Sequence, residues 1–152
     1  MHLVKPSDQI IIELMSWFTS EEELNFWSGP NFRYPYDLSS FKNDLKLDSL
    51  SSYAMISQQN HLLAFGQYYL RAERCHLGRL VVNPSFRRQG MISRLINMLS
   101  ERGKSRLKTQ SCSLFVLESN TSAIQAYKKL GFSIAEYPET MPLENCFYMV
   151  QV

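Results

Sequence analysis

The sequence lacks the segments that mark secreted and membrane proteins. Its first nine residues, Met1 to Gln9, have neither the basic start nor the long apolar stretch of a signal peptide. No apolar run approaches the roughly 20 residues that span a bilayer. The three cysteines, Cys75, Cys112 and Cys146, are widely spaced and form neither a disulfide framework nor a CxxC metal pair. We therefore expect a cytoplasmic protein with reduced, buried thiols, no metal and no membrane association.

An excess of charge of one sign is also missing. The 16 Lys and Arg residues exceed the 14 Asp and Glu residues by only two, which gives a net charge of +2. This charge is too small to predict nucleic acid as a partner. The sequence contains neither a GxGxxG dinucleotide motif nor a GxxxxGK[ST] P-loop. A length of 152 residues without internal repeats predicts a single domain over residues 1–152.

Hydrophobic spacing predicts helices in the first third of the chain and strands after them. Residues 7–18 and 38–47 have helical spacing, and the aromatic segment from Trp27 to Tyr36 between them is predicted as an ordered loop. Two further helices are predicted at 92–106 and 121–130. Strands are predicted at 53–57, 62–70, 75–82, 113–117, 132–136 and 146–152. Consecutive strands followed by strand–helix units indicate a mixed α/β domain.

The segment from Val82 to Ile92 joins a predicted strand to a predicted helix. The first turn of a helix carries unpaired N–H groups and a partial positive charge, so a phosphate binds there readily. Arg87 and Arg88 precede the helix and supply cationic side chains, and Gly90 lets the backbone approach a ligand closely. Taken alone, the segment is more typical of a solvated basic loop before an ordinary helix, since isolated Arg-Arg pairs are common.

Two blocks read together resemble the signature of the GNAT N-acetyltransferase family. The first is the strand 80–82 ending in Val82-Asn83-Pro84, followed by Arg87 to Ile92, and it resembles V-x-P with [QR]-x-x-G-x-[GA]. The second matches N-x-x-A-x-x-x-Y-x-x-x-G-F, and its residues are Asn120, Ala123, Tyr127, Gly131 and Phe132. The resemblance covers residues 53–152. One position departs from it, because Ile92 stands where the family has Gly or Ala.

This resemblance implies a central, mostly antiparallel, V-shaped sheet flanked by helices, with acetyl-CoA as the acyl donor. The strand Leu80-Val81-Val82 would lie along the pantetheine arm, and Asn120 would contact that arm or cap its helix. The residues implied for the pyrophosphate are Arg87, Arg88, Gln89, Gly90, Met91, Ile92 and Ser93. No metal is implied.

The resemblance also implies catalytic roles. Tyr127 matches the general acid that protonates the leaving thiolate, and the alternative is a tyrosine of the core. His76 is a candidate general base, because strand alternation puts it on the same face as Val82. The alternatives are a strand histidine without a catalytic task, a water chain, and Glu73 as a weaker base.

The implied reaction is direct transfer of an acetyl group to a primary amine of a small molecule or peptide. The aromatic loop, together with Tyr68 and Tyr69, would hold this acceptor or form a small core of its own. The run from Glu21 to Glu23 would attract a basic acceptor or form a solvated helix end. A non-catalytic acyl-CoA sensor on the same fold is the alternative function, and a homodimer remains open.

Overall fold

The structure is a computed structural model that describes residues 1–152. It contains five α-helices and seven β-strands. The helices are α1 (Asp8–Met15), α2 (Glu21–Ser28), α3 (Leu38–Asp44), α4 (Met91–Leu107) and α5 (Thr121–Lys129). The strands are β1 (His2–Val4), β2 (Ser51–Ile56), β3 (Leu62–Arg71), β4 (Arg74–Val82), β5 (Cys112–Leu117), β6 (Ser133–Ala135) and β7 (Cys146–Gln151).

The seven strands form one hydrogen-bonded sheet in the order β1-β2-β3-β4-β5-β7-β6. Strand β1 pairs antiparallel with β2, and β7 pairs antiparallel with both β5 and β6. Strands β4 and β5 run parallel, and their register comprises three residue pairs, from Cys75↔Cys112 to Leu77↔Leu114. A seven-stranded sheet flanked by helices confirms the predicted mixed α/β fold class.

The chain divides into two compact units. Unit 1 comprises Met1–Gln67 with Arg79–Leu95, and unit 2 comprises Tyr68–Gly78 with Ile96–Val152. Strands β3 and β4 and helix α4 each contribute residues to both units. The single domain over residues 1–152 stays a prediction.

Unit 1 has a core of aromatic and aliphatic side chains. Trp27 stacks on Phe18 with ring centroids 4.5 Å apart, and Phe32 meets Phe41 edge to face at 5.5 Å. Such aromatic pairs add to the stability gained by burying apolar surface. The buried members of this core are Ile11, Leu14, Trp17, Phe18, Leu24, Phe32, Phe41, Leu45, Ala54, Ile56, Leu62, Phe65 and Val81.

The sequence analysis missed two elements of unit 1, helix α2 and strand β1. Ser20 caps α2 by accepting a hydrogen bond from the Glu23 N–H, and the three glutamates occupy the first helical turn, where negative charge is favourable. Only Leu24 of this helix is buried, so its hydrophobic spacing is too sparse to detect. Strand β1 has three residues, which is too short to show alternation.

A buried amide and a half-buried guanidinium tie β3 to β4 within unit 1. The Gln67 side chain is fully buried, and its Nε2 donates to Leu45 O and Ser52 Oγ, each at 2.8 Å. Its Oε1 accepts from Arg79 Nη1 at 3.0 Å, and the Arg79 guanidinium lies 5.3 Å from the Phe32 ring centroid. Because a buried polar group without partners costs about 1–3 kcal/mol, this network keeps Gln67 compatible with the interior.

Unit 2 buries the thiols of Cys75 and Cys112, as predicted, whereas Cys146 is only half-buried. Cys75 and Cys112 are direct partners in the β4–β5 register. Hydrogen bonding to Cys112, together with burial, raises the pKa of the Cys75 thiol. Gly103 of helix α4 packs against this thiol so closely that an added Cβ would collide with Cys75 Sγ and lie 3.1 Å from the Tyr68 ring.

We predict that Gly103→Ala destabilises the protein. In a free helix this change stabilises by about 1 kcal/mol, but overpacking a core typically costs about 1–3 kcal/mol, and the collision makes overpacking decisive here. Urea denaturation measures the change in the free energy of unfolding. The control is Asn97→Ala, at an exposed position of the same helix, which should be neutral or slightly stabilising. A more stable Gly103→Ala variant would contradict the described packing.

Candidate cofactor segment and catalytic residues

Asn83 shapes the connection between β4 and α4. Its Nδ2 donates to Leu62 O at 2.8 Å, and its Oδ1 accepts from the Ser85 N–H at 2.9 Å, which starts the short 3-10 turn Pro84–Phe86. Its own N–H donates to Leu63 O at 2.8 Å. Asn side chains often stabilise turns in this way. Asn83 therefore fixes the direction in which the chain leaves β4.

The backbone before α4 passes twice through the left-handed region. Arg88 has a φ of +62° and Gly90 a φ of +78°. Glycine adopts this conformation without steric strain, whereas other residues adopt it at an energetic cost. The first helical hydrogen bond of α4 runs from the Arg94 N–H to Gly90 O at 3.3 Å. The preceding N–H groups, from Gln89 to Ser93, have no backbone acceptor within the protein.

The side chains around these N–H groups leave them open. Arg88, Gln89 and Gly90 are exposed, and a Cβ built on Gly90 meets no atom within 4 Å. Met91, Ile92 and Ser93 are half-buried. Ile92, which stands where the family has a small residue, is thus one of three half-buried residues in this turn. Its side chain leaves the backbone N–H groups available to an anion.

Beside the connection between β4 and α4, unit 1 has a cavity of about 480 Å³. It joins the start of the 3-10 turn to the end of α1 and the start of α2. Its lining residues are Glu13, Ser16, Trp17, Thr19, Glu23, Asn83, Pro84, Ser85 and Arg87. Two carboxylates, those of Glu13 and Glu23, give this cavity acidic groups opposite in sign to the guanidinium of Arg87.

Asn120 caps helix α5 in unit 2. Its Oδ1 accepts a hydrogen bond from the Ala123 N–H at 3.3 Å, and its N–H donates to Leu117 O at 2.9 Å. The predicted cap is therefore present. The side-chain amide keeps two N–H donors that no residue of the protein accepts, so the cap leaves Asn120 able to donate to a ligand.

Tyr127 lies on α5 with its ring 6.1 Å from that of Phe132. Burial raises the pKa of Tyr127 to about 12, because the ionised phenolate would lose its solvation. The hydroxyl therefore keeps its proton at neutral pH. A hydroxyl that keeps its proton and donates it to no group of the protein can act as a general acid, and the catalytic role itself stays a prediction.

His76 is almost fully buried in unit 2, with 2% of its surface exposed. Its Nδ1 lies 2.8 Å from Ser113 Oγ, and its ring meets Phe115 edge to face at 4.6 Å. Burial, with a smaller effect of the Arg71 charge, lowers the pKa of His76 from 6.5 to about 3. The imidazole is therefore neutral and weakly basic at pH 7, which gives little driving force for general-base catalysis.

The backbone also changes the argument that placed His76 on the face of Val82. Arg79 interrupts β4 with a φ of +48°, as at a β-bulge, so the regular alternation of the strand ends there. The expectation that His76 shares a face with Val82, and with it the role of His76 as a base, stays a prediction.

Part of the aromatic segment from Trp27 to Tyr36 packs on the unit 1 core: Phe32 is buried in it, and the half-buried Trp27 and Tyr36 pack against it, whereas residues 30, 31 and 33–35 are exposed. Trp27 and Ser28 end helix α2 rather than starting the loop. The Tyr36 hydroxyl donates to Met15 O at 2.6 Å. Of the tyrosines in the segment, Tyr34 is exposed.

No group of three or more His, Cys, Asp or Glu side chains is placed to hold a metal ion. None of the helices is both long and apolar enough to cross a bilayer. The sequence analysis did not single out Ser113, the partner of His76, or the ring of Phe115 beside it. Their only sequence signal is their place on a strand predicted to be buried.

The family model that describes the acetyltransferase (GNAT) family matches residues 11–132 of the chain. The match covers most of the protein and includes both sequence blocks. The chain belongs to the GNAT acetyltransferase family.

A curated relative is the catalytic subunit NAA20 of the N-terminal acetyltransferase B complex of Arabidopsis thaliana. It is 39% identical over 59 residues, which is 39% of this chain and 34% of that protein. The matched segment thus spans about a third of the relative's length.

Solved structures share the fold at low sequence identity. Spermidine N-acetyltransferase of Vibrio cholerae, in complex with CoA and spermine, has a TM-score of 0.73 at 15% identity, covering 98% of this chain and 93% of that one. The ribosomal-protein-S18-alanine N-acetyltransferase of Escherichia coli has a TM-score of 0.64 at 19% identity, covering 99% and 92%.

We predict that His76 makes the protein less stable as the pH falls from about 6.5 towards 3. The unfolded chain takes up a proton at His76 in this window, whereas the folded protein does not, because its pKa is about 3. The free energy of unfolding then falls by up to about 1.4 kcal/mol per pH unit. Urea midpoints between pH 7 and pH 4.5 measure the slope.

His76→Gln should flatten this slope, since glutamine does not titrate. His61→Gln, at an exposed position, is the control and should leave the slope of the parent protein unchanged. Equal slopes for His76→Gln and the parent would show that His76 does not titrate as described.

Proposed function

We propose that the protein is an N-acetyltransferase that transfers an acetyl group from acetyl-CoA to a primary amine by direct attack. The observation that carries the proposal is the start of α4, where N–H groups from Gln89 to Ser93 have no backbone acceptor and follow two left-handed residues. This segment lies inside the part of the chain that matches the GNAT family.

In this proposal the start of α4 binds the pyrophosphate of CoA. Successive N–H groups at a helix start form a site for an anion, and the partial positive charge of the helix adds to it. Arg87 and Arg88 are exposed and have no carboxylate partner in the protein, so both are available for phosphate oxygens. Backbone donors bind regardless of side chain, which makes Ile92 compatible with the site.

The pantetheine arm is assigned to backbone edges and to Asn120. The register of β5 with β4 ends at Leu114, while β5 continues through Leu117 and pairs with β7 along its other edge. The last residues of β5 therefore have an edge without β4 partners, which suits an extended polar chain. The two free N–H donors of Asn120 and the backbone of Leu80, Val81 and Val82 complete the proposed contacts.

Tyr127 is the proposed general acid. The amine nitrogen attacks the acetyl carbonyl carbon and forms the C–N bond, and the C–S bond breaks. The sulfur takes the proton of the Tyr127 hydroxyl, which a pKa of about 12 keeps protonated until the thiolate develops. The amine loses its extra proton to a base or to water, and solvent returns a proton to Tyr127.

The base in this scheme is the least constrained group. His76 is neutral and can accept a proton, but its pKa of about 3 makes it a weak base. A water chain, another option from the sequence beside the weaker base Glu73, needs no basic side chain. Loss of activity in His76→Gln at unchanged fold would favour His76, and retained activity would favour water.

The acceptor is proposed only as a primary amine. One relative is named for protein N-termini and a structural neighbour for spermidine, so both peptide and small-molecule amines fit the family. The carboxylates of Glu13 and Glu23 in the cavity of unit 1 favour a cationic group there. A cytoplasmic location, the absence of nucleic acid as a partner and a homodimer remain predictions.

We predict that acetyl-CoA and CoA bind with micromolar affinity, whereas ATP does not bind at matched concentration. Isothermal titration calorimetry measures all three. Gly90→Glu should abolish binding of the CoA species, because a carboxylate would repel the pyrophosphate from the N–H groups at the start of α4.

Gly29→Glu is the matched control. Gly29 has a φ of +82° and no atom within 4 Å of a built Cβ, so the variant adds the same charge at another glycine with positive φ, outside the start of α4. It should bind acetyl-CoA like the parent protein. If Gly90→Glu binds normally as well, the assignment of the pyrophosphate site is wrong.

Tyr127→Phe should lower kcat by about 10²–10⁴ with little change in the affinity for acetyl-CoA, because only the proton donor is lost. Thiol release with an amine panel measures turnover, and calorimetry measures binding. Tyr34→Phe, at an exposed position, is the control. Unchanged turnover would remove Tyr127 from the mechanism, and CoA binding without turnover in the parent protein would favour the sensor alternative.

A further inference from the structure

Arg71 is the last residue of β3, at the start of a two-residue turn in unit 2. Both turn residues, Ala72 and Glu73, have positive φ values, +47° and +66°, as in the tight turns that join antiparallel strands. This turn holds the end of β3 beside the start of β4. The position of Arg71 is therefore set by the backbone rather than by a flexible loop.

Three aromatic rings surround the Arg71 guanidinium. Its Cζ lies 5.1 Å from the ring centroid of Phe115, 5.7 Å from that of Tyr69 and 5.9 Å from that of Tyr137. We call Arg71 with these three rings the aromatic clamp. Behind it, Tyr148 packs on Tyr137 at 4.9 Å. Cation–π contacts of this kind hold the guanidinium in place.

The clamp leaves most of the hydrogen-bonding capacity of Arg71 unused. A guanidinium has five N–H donors, and only one bond is made within the protein, from Arg71 Nη1 to the Tyr69 hydroxyl at 3.2 Å. Arg71 takes part in neither of the ion pairs Arg33–Asp44 and Lys42–Asp8, and no carboxylate pairs with its guanidinium. The side chain is half-buried, which leaves it within reach of a ligand.

The uncompensated charge of Arg71 acts on its surroundings. After burial, it is the second cause that lowers the pKa of His76. Arg74, nearby in the chain, does not offset this charge, since it is a second cation that donates to Ser111 Oγ and the Tyr148 hydroxyl. Neither cation forms an ion pair within the protein, and the carboxylate that contacts the clamp is that of Glu139, which accepts from the Tyr137 hydroxyl at 3.4 Å rather than from a guanidinium.

A carboxylate fits this arrangement better than other groups. The guanidinium of Arg71 donates one hydrogen bond within the protein and keeps its other N–H groups for a ligand, and two parallel N–H groups match the two oxygens of a carboxylate. Cationic and purely apolar groups would leave the charge uncompensated. Phe115 is also the first residue of β5 beyond its pairing with β4, the stretch assigned above to the pantetheine arm.

We propose that Arg71 binds a carboxylate of the acyl acceptor, so that the enzyme prefers amines that carry an acid group. This inference rests on the proposed acetyltransferase function. Arg71 acts as a specificity-determining residue: the aromatic clamp orients its guanidinium, and the acceptor supplies the counter-charge that the chain lacks. The alternative is a purely structural role, in which the guanidinium only joins the rings at the end of the hairpin.

The experiment compares acceptors that differ only in charge. Peptide amides with one Glu at the second, third or fourth position are paired with peptides that have Gln there, and an amino acid is paired with its amide. Thiol release gives kcat/KM for each pair. The parent protein should favour the acidic member of at least one pair by about 10–100-fold, as expected for a charge-assisted bidentate bond.

Arg71→Gln should reduce this ratio to about one while the rate on the neutral acceptor is kept. Arg71→Lys, which keeps the charge without the planar fork, should keep only part of the ratio. Arg74→Gln is the matched control, since it removes a half-buried cation of the same unit and should leave the ratio unchanged. A change in acetyl-CoA affinity in Arg71→Gln would instead assign Arg71 to the cofactor and overturn the inference.

A binding measurement separates this inference from the proposed function. Calorimetric titration of the CoA-loaded protein with the Glu and Gln peptides requires no turnover. If the Glu peptides bind in a way that depends on Arg71 but are not acetylated, the carboxylate site is supported and the proposed acetyltransferase function is rejected. Equal kcat/KM and equal affinity for charged and neutral acceptors in the parent protein would overturn the inference even if Arg71→Gln fails to fold.

Discussion

The hydrogen-bonding requirement at the start of α4 governs the region of the chain to which we assign the cofactor. A helix leaves its first N–H groups without partners, and a protein must either cap them or offer them to a ligand. Here no side-chain cap is made, and the residues before the helix adopt left-handed conformations at Arg88 and Gly90. Asn83 supplies the fixed turn that precedes them. These open N–H groups are the basis for the proposed phosphate site in this segment.

Burial shifts the pKa values of the two residues proposed for proton transfer in opposite directions, yet it leaves both side chains neutral. It raises the pKa of Tyr127 and lowers that of His76, because in each case the charged form would lose its solvation. A neutral tyrosine still holds the proton that a leaving thiolate needs. A neutral histidine in the same kind of environment is a poor proton acceptor. The same physical cause therefore supports one predicted role and weakens the other.

Strands β2 to β7 and the long helix α4 could be predicted from the sequence, because their hydrophobic spacing follows from burial on one face. Tyr127 lies on α5 and Asn120 caps that helix, as predicted. Helix α2 could not be predicted, since it buries one residue and owes its start to the Ser20 cap. The bulge at Arg79 and the clamp around Arg71 could not be predicted either. Both depend on residues far apart in the chain, so no local sequence pattern indicates them.

Chemical labelling of the fully buried thiols of Cys75 and Cys112 would measure how readily the folded protein opens. A thiolate reacts with a labelling reagent only when the reagent can reach it, and these two residues expose no surface in the folded state. Half-buried Cys146 provides an internal reference that reacts without such an opening. Mass spectrometry of the labelled chain would count the two classes separately. The ratio of their rates would then report how readily the folded protein opens, without any engineered probe.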